Sequence, residues 1–323
     1  MSITIVGSVG LDTVETPFGS RSELLGGAAV YASIAANLFT QTRIVGIVGK
    51  DFPEEHLAFL RAAGVDLEGL QVKEGLTFRW SGRYEYDLNV RHTLDTQLNL
   101  FSDFHPVLPE GYRGAPYLFL ANIDPELQLE VLTQARPRLS MMDTMDYWIE
   151  GKRRELDRVI SAVDIVLMND FEMRQYCGHY SLVEGARKVL AMGPQAVIVK
   201  KGEHGAILVT AGGVFLAPAY PLGEVRDPTG AGDTFAGGFL GYLAESGDTD
   251  EGALRRAIVH GSVVASFVVE DFSLDRLKGL SKSEIAERYA EFQRLIHYEE
   301  ACLSLECPLR PEELELTLSE PAR

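Results

Sequence analysis

The sequence contains little cysteine, and its few cysteines do not suit a disulfide framework. Three cysteines occur among 323 residues, and Cys302 and Cys307 have the wrong spacing for a zinc knuckle. The seven histidines are scattered and form no His-Glu-x-x-His pattern. These absences indicate a reducing environment, and we expect a cytoplasmic protein.

Basic residues are also scarce, with 30 Lys and Arg against 47 Asp and Glu and a formal net charge of −17. Because nucleic-acid affinity depends on basic side chains meeting phosphates, we expect no nucleic-acid partner. A nucleotide is not excluded, since backbone amides and Mg²⁺ can supply local positive charge. No apolar run approaches the roughly 20 residues that a membrane helix needs, so we expect no membrane partner. Residues 1–6 lack a basic stretch and predict a strand rather than a signal peptide.

The hydrophobic content of 46% is enough to bury one large α/β core or two modest ones. Apolar runs alternate with segments of helical period, which predicts a mostly parallel sheet covered by helices. The predicted strands are 3–7, 43–48, 117–121, 138–142, 165–168, 196–200 and 205–210, the last continuing through a hairpin at 211–213. The predicted helices are 28–38, 53–63, 125–135, 152–161, 171–176, 182–192, 231–245, 250–269 and 282–297.

Residues 77–87 break this alternation. Their period of two places aromatic side chains on one face of a strand, namely Phe78, Trp80, Tyr84 and Tyr86. A second short polar segment, 12–20, precedes the first predicted helix. The aromatic face can contact a ligand, belong to an ordinary edge hairpin, or be buried in a homodimer.

The most informative stretch is 227–239, Asp-Pro-Thr-Gly-Ala-Gly-Asp-Thr-Phe-Ala-Gly-Gly-Phe. A strand-like segment at 219–225 leads into small residues, after which an apolar helix pattern begins. Small residues allow a ligand to approach the backbone, and the first amides of a helix form an anion site. Asp233 would repel that anion, but its position suits a base for a hydroxyl that attacks it. The alternative is an acidic residue that stabilises the helix N-terminus.

This stretch resembles the C-terminal signature of the ribokinase-like (PfkB) carbohydrate kinases. The resemblance makes Asp233 the catalytic base and Gly230, Ala231 and Gly232 the anion hole. Residues 25–32, with Gly26 and Gly27, resemble the family's N-terminal signature. Weaker matches follow in family order at 6–12, 45–51, 169–172 and 199–205, so that the similarity spans roughly residues 3 to 298.

The resemblance implies a ribokinase-like three-layer α/β/α fold with a mostly parallel central sheet and a small β lid. The kinase domain would span 1–298, with lid segments at about 12–20 and 76–100. An acidic C-terminal extension would follow at 299–323. The aromatic lid face would also allow a homodimer through the lid.

The implied activity is transfer of the γ-phosphoryl group of ATP, with Mg²⁺, to a hydroxyl, in particular a CH₂OH, of a neutral sugar or nucleoside. Substrate contacts fall to Asp12, Gly26, Gly27 and Asn122. Nucleotide contacts fall to Lys200, Gly202, Gly205 and His260. Asn169 and Glu172 would order Mg²⁺ through water, and Asp227 and Thr229 would hold a monovalent cation such as K⁺.

Each assignment has a structural alternative. Asp12 and the glycines suit tight turns, Asn169 suits a helix N-cap, and His260 suits a packed helix histidine. The sequence also departs from the family, because the helix start after Gly27 lacks the usual Asn. The segment that begins at Asp143 lacks the Asn and Arg of several sugar kinases. The missing Arg disfavours a 2-keto-3-deoxy sugar acid.

Three other functions remain for comparison. The Ala-rich helix start also resembles that of cyclitol (myo-inositol) kinases. A non-catalytic sugar or nucleotide sensor is disfavoured, because a sensor needs no base at Asp233. A dinucleotide-dependent oxidoreductase is disfavoured by the absence of Gly-x-Gly-x-x-Gly after the first strand, and Gly49-Lys50 does not complete a Walker A loop.

Overall fold

The structure is a computed structural model that describes residues 1–297. Within this range the chain forms a nine-stranded and a four-stranded sheet. The strands are β1 (Ser2–Val6), β2 (Gly10–Thr16), β3 (Gly19–Gly26), β4 (Gln41–Gly49), β5 (Asp66–Lys73), β6 (Phe78–Tyr84), β7 (Arg91–Gln97), β8 (Tyr117–Leu120), β9 (Leu139–Met142), β10 (Ile165–Asn169), β11 (Ala196–Lys200), β12 (Ala206–Thr210) and β13 (Gly213–Ala217).

Helices cover both faces of the larger sheet. In residues 1–297 they are α1 (Ala28–Asn37), α2 (Glu54–Ala62), α3 (Glu110–Arg113), α4 (Pro125–Gln134), α5 (Asp146–Gly151), α6 (Arg153–Ile160), α7 (Asp170–Cys177), α8 (Leu182–Leu190), α9 (Ala231–Ser246), α10 (Glu251–Val268) and α11 (Lys282–Ile296). None of these helices combines the length and apolar character that crossing a membrane requires.

The larger sheet has the order β13-β12-β11-β10-β9-β8-β1-β4-β5. Its strands run parallel except β12, which pairs antiparallel with both β11 and β13 and forms with β13 the hairpin predicted at 211–213. Central strands such as β8 are buried throughout, as expected for a parallel sheet covered on both faces. Ile3 and Ile5 face a core packed by α1, α9 and α10, whereas Val6 faces a second core packed by α4, α6 and α8. The predicted three-layer α/β/α fold is therefore confirmed.

The four-stranded sheet, which we call the lid, has the order β3-β2-β6-β7. The β2–β3 and β6–β7 pairs are antiparallel, while β2 and β6 run parallel. The lid is attached to the larger sheet where Asp51, just after β4, accepts hydrogen bonds from the amide and hydroxyl of Thr77 at 2.8 and 2.6 Å. All residues of the edge strand β7 are exposed. The homodimer through this lid stays a prediction.

Several boundaries differ from the sequence prediction. Residues 219–225 form an irregular connection rather than a strand, and the sequence did not predict the short helix α5, which directly precedes α6. Strand β5 was missed because its alternation includes charged residues at a half-exposed edge of the sheet. The predicted C-terminal extension, 299–323, lies outside the described residues.

Candidate active site

Four polar residues lie at or just after the ends of adjacent strands of the larger sheet, and three of them are predicted site residues. Asn122 and Asp143 come just after β8 and β9, and Asn169 and Lys200 end β10 and β11. These four strands are parallel neighbours, so their carboxyl ends meet at one edge. Open α/β sheets bind ligands at this edge. The sheet therefore brings these side chains to one side of the molecule.

The loop before α9 is held by Asp227, whose side chain is 1% exposed. Its Oδ1 accepts a hydrogen bond from the Thr229 amide at 2.9 Å, and its Oδ2 accepts one from the Ser273 amide at 3.1 Å. The hydroxyl of Thr229 donates to the hydroxyl of Tyr84, on the lid, at 3.3 Å. These bonds give Asp227 and Thr229 structural roles in the loop, and the monovalent cation stays a prediction.

Helix α9 is preceded by its N-cap residue Gly230, which has the left-handed conformation with φ of 74°. A Cβ at Gly230 would lie 2.4 Å from ring atoms of Tyr31, so both conformation and space require glycine. The Ala231 amide donates to the carbonyl of Pro228 at 3.2 Å, while the Gly232 and Asp233 amides find no acceptor in residues 1–297. Two free amides at a helix N-terminus form the core of an anion site.

The carboxyl group of Asp233 lies in the first turn of α9 and accepts no hydrogen bond from residues 1–297. Burial and then the negative charge of Asp143 raise its pKa to about 7, against the opposing effect of Lys200 and of Arg91 on the lid. A carboxyl group with this pKa can exchange a proton near neutral pH.

Lys200 connects the sheet edge with residues 227–232 at the start of α9, which we call the anion loop. Its ammonium group donates to the Asp143 carboxylate, with side chains 16% and 4% exposed. A Cβ on Gly232 would lie 3.3 Å from the Lys200 Nζ. Burial lowers the pKa of Lys200, but the charges of Asp143 and Glu172 outweigh this effect and raise it. A fixed cation therefore adjoins the free amides.

Asn169 and Glu172 form a capping box at the start of α7. The Asn169 Oδ1 accepts from the Glu172 amide at 2.8 Å, and the Glu172 carboxylate accepts from the Asn169 amide at 2.6 Å. Glu172 is buried, and this burial raises its pKa to about 8 although Lys200 acts in the opposite direction. Within residues 1–297, no three His, Cys, Asp or Glu side chains converge as a metal site.

Asp12 lies on the lid strand β2, opposite the end of β3. Its carboxylate occupies the space over Gly26, where a Cβ would be 2.0 Å from Oδ2. Burial, followed by the charges of Asp227 and Asp233, raises the pKa of Asp12 to about 8. The amides of Ala28 and Ala29, just after Gly27, donate to the hydroxyl and carbonyl of Ser8. Those two helix amides are therefore not free for a ligand.

Asn122, Gly202 and Gly205 are predicted residues with no described contact to Asp233 or Lys200. The Asn122 Oδ1 accepts from the indole of Trp148 at 3.0 Å. Gly202 and Gly205 lie in the turn between β11 and β12 with φ of 54° and 84°. A lid residue, Asn89, reaches this turn and donates to Glu203 at 3.1 Å.

His260 is not brought to the other predicted residues. Its ring is stacked between Tyr242 and Tyr289, with centroid distances of 4.2 and 4.3 Å, and meets Phe39 edge-on. Tyr242 is three helical turns beyond the start of α9, about 16 Å along its axis. Burial lowers the pKa of His260 to about 4. This position supports the packing alternative, because a neutral ring fits between two phenols.

Ser8, Tyr31 and Ser273 are part of this site, and the sequence analysis did not single them out. The sequence could have indicated Tyr31, since it belongs to the helix start that lacks the expected Asn. Nothing in the sequence indicates Ser8 or Ser273, because their contacts join segments that are distant in sequence.

The family model described as pfkB family carbohydrate kinase matches residues 13–276. The chain belongs to this family and is therefore a phosphotransferase with an alcohol group as acceptor. It is 33% identical over 249 residues to a cytidine kinase of Thermococcus kodakarensis, which covers 75% of this chain and 88% of that protein. It is 28% identical over 252 residues to a nucleoside kinase of Methanothermobacter thermautotrophicus, covering 76% and 78% of the two chains.

Solved structures have the same fold. A nucleoside kinase of Methanocaldococcus jannaschii matches 90% of this chain and 98% of its own with a TM-score of 0.73 and 22% identity. Aminoimidazole riboside kinase from Salmonella enterica, complexed with aminoimidazole riboside and an ATP analogue, matches 90% and 100% with a TM-score of 0.71 and 20% identity.

Proposed function

We propose that the protein is an ATP- and Mg²⁺-dependent nucleoside kinase that phosphorylates the primary hydroxyl of the ribose. The observation that carries this proposal is the unpaired Asp233 carboxyl group beside two free amides and the ammonium group of Lys200. A base, an anion site and a fixed cation at one point are what phosphoryl transfer to an alcohol needs.

In the proposed step, Asp233 accepts the proton of the attacking hydroxyl as its oxygen forms a bond to the γ-phosphorus. The bond between that phosphorus and the β,γ-bridging oxygen breaks, and ADP leaves with the electron pair. The amides of Gly232 and Asp233 and the ammonium of Lys200 stabilise the charge on the transferring group. Glu172 lies near Lys200 and would meet hydrated Mg²⁺ through water, because this small cation keeps much of its hydration shell.

Two features support a nucleoside as acceptor. The first two relatives described above are cytidine and nucleoside kinases. Asp12 offers an unpaired carboxyl group, which suits the diol of a ribose. The relatives favour a nucleoside over a cyclitol, and the unpaired Asp233 favours a kinase over a sensor.

The test is an ADP-release screen with ATP and Mg²⁺ against nucleosides, pentoses, hexoses and cyclitols. We expect release with at least one nucleoside, and Asp233→Asn should lower turnover about 10²–10⁴-fold while ATP binding persists. Asp248→Asn is the matched control, because Asp248 is exposed beyond the far end of the same helix. Release with free sugars or cyclitols alone would reject the nucleoside, and full turnover in Asp233→Asn would reject the base.

A further inference from the structure

The Tyr31 side chain is 2% exposed, and its hydroxyl makes no hydrogen bond of good geometry in residues 1–297, although the Ser273 hydroxyl lies close to it. A buried hydroxyl without a partner is destabilising, and such exceptions in a folded protein call for an explanation. The proposed phosphoryl transfer makes no use of this hydroxyl. Tyr31 is therefore a polar group inside the site with no assigned task.

The direction of the side chain follows from its place on the helix. Tyr31 lies one turn after Gly27, and its amide donates to the Gly27 carbonyl at 3.2 Å. Helical side chains lean toward the N-terminus of their helix. The phenol therefore points toward the Gly26–Gly27 turn, where the carboxylate of Asp12 lies.

The charges around the hydroxyl agree with this direction. Burial and then the carboxylates of Asp12 and Asp227 raise the pKa of Tyr31 well above its ordinary value. The hydroxyl therefore stays protonated and is available as a donor. The neighbouring Ser273 uses its own hydrogen in a bond to the carbonyl of Leu25 at 2.6 Å.

Asp12 complements this donor, because its carboxyl group accepts no hydrogen bond from residues 1–297. Because the charge of Asp12 acts on the Tyr31 hydroxyl and the Asp12 carboxyl group lies over Gly26, we infer that an unpaired donor and an unpaired acceptor lie near each other at the end of β3. A ligand group that pairs with both Tyr31 and Asp12 must accept one hydrogen bond and donate another. An alcohol does both with a single oxygen.

Building on the proposed function, we propose that Tyr31 is a specificity-determining residue that donates a hydrogen bond to one hydroxyl of the acceptor's ribose diol. Asp12 accepts the hydrogen of that same hydroxyl. The pair therefore distinguishes a ribonucleoside from the analogue that lacks this hydroxyl.

The test compares kcat/KM for an accepted ribonucleoside and for its 2′-deoxy and 3′-deoxy analogues. Tyr31→Phe removes the hydroxyl and keeps the ring that packs against Gly230. We expect it to lower kcat/KM for the ribonucleoside about tenfold or more, while one deoxy analogue changes less than about twofold. The thermal midpoint of the free protein should stay equal or rise, because an unpartnered group is lost.

Tyr117→Phe is the matched control. Its hydroxyl is also buried but donates to the Leu243 carbonyl at 3.2 Å. This variant should lower the thermal midpoint and leave the preference among the three nucleosides unchanged.

An equal loss on all three nucleosides in Tyr31→Phe, or an unchanged preference, would overturn the inference and assign the hydroxyl to bound water or to packing. Failure of the proposed function is seen separately, in the wild-type protein. If wild type accepts a free sugar or a cyclitol instead, the deoxy analogues of that compound decide the role of Tyr31 by the same criteria. If wild type accepts nothing, the inference fails as well.

Discussion

The ammonium group of Lys200 lies 3.3 Å from the point that a Cβ on Gly232 would occupy, and it is held there by the carboxylate of Asp143. A residue at the end of β11 is thereby fixed against the first turn of α9. The positive charge of the proposed anion site thus comes from two distant segments, and its position depends on a buried ion pair.

We expect the ion pair to couple stability with activity. Lys200→Met leaves the Asp143 carboxylate buried and unpaired, which should lower the free energy of unfolding by about 3–5 kcal/mol. Adding Asp143→Asn should restore more than half of that loss, because no uncompensated charge remains. Turnover should stay low in both proteins, since each lacks the cation. Urea unfolding and ADP release provide the measurements, and strictly additive stability losses would contradict the coupling.

Gly230→Ala tests the tight packing of the anion loop. The new Cβ would require left-handed backbone at φ of 74° and would lie 2.4 Å from the Tyr31 ring. We expect a loss of about 2–4 kcal/mol in unfolding free energy, with weaker ATP binding. Gly247→Ala is the control at the other end of α9, where φ is 70° and the nearest contact is the terminal methyl of Met1 at 3.1 Å. It should cost about 1 kcal/mol and leave activity intact.

The pH dependence of kcat/KM tests the ionisation of Asp233. Its pKa of about 7 lies above the ordinary value, so the base becomes protonated as pH falls through 7 and activity declines there. Because the Lys200 ammonium lowers this pKa, the residual activity of Lys200→Met should decline at a higher pH than wild type. The residual activity of Asp12→Asn should still decline as the pH falls through about 7. A wild-type profile that is flat down to pH 5 would contradict the assignment.

Glu172→Gln separates the capping role from the metal role. Glutamine can maintain a capping box, so the unfolding midpoint should change little. If Glu172 orders water on Mg²⁺, the Mg²⁺ concentration that gives half-maximal activity should rise about tenfold or more. The chain offers a matched control in Glu284→Gln, which alters the second capping box at the start of α11. An unchanged Mg²⁺ requirement in Glu172→Gln would leave the residue with capping alone.

The sequence predicted those parts of the site that depend on local order along the chain. Asn169 and Lys200 were assigned through the family motifs at 169–172 and 199–205, and both end apolar strands whose carboxyl ends share one edge. Gly230 and Asp233 were found because small residues directly precede a helix pattern. The aromatic period at 78–86 located one lid strand, and Tyr84 of that strand meets Thr229.

Contacts between distant segments could not be predicted in this way. Nothing local to Gly230 indicates that the Tyr31 ring fills the space beside it, and nothing local to Asp12 indicates that it lies over Gly26. The capping box likewise uses the same Asn and Glu that the resemblance assigned to Mg²⁺, so one spacing fits both roles. For His260, the tyrosines on either side of its ring come from α9 and α11, and helical period alone does not reveal which neighbours a helix acquires.

The two hydrogen bonds accepted by Asp227 have a consequence for binding. They tie the turn before α9 to the backbone of Ser273, so the turn already has its shape when a nucleotide arrives. The conformational entropy of that segment is lost once, when the chain folds, rather than again in every catalytic cycle. More of the interaction energy with the phosphates is then expressed as affinity.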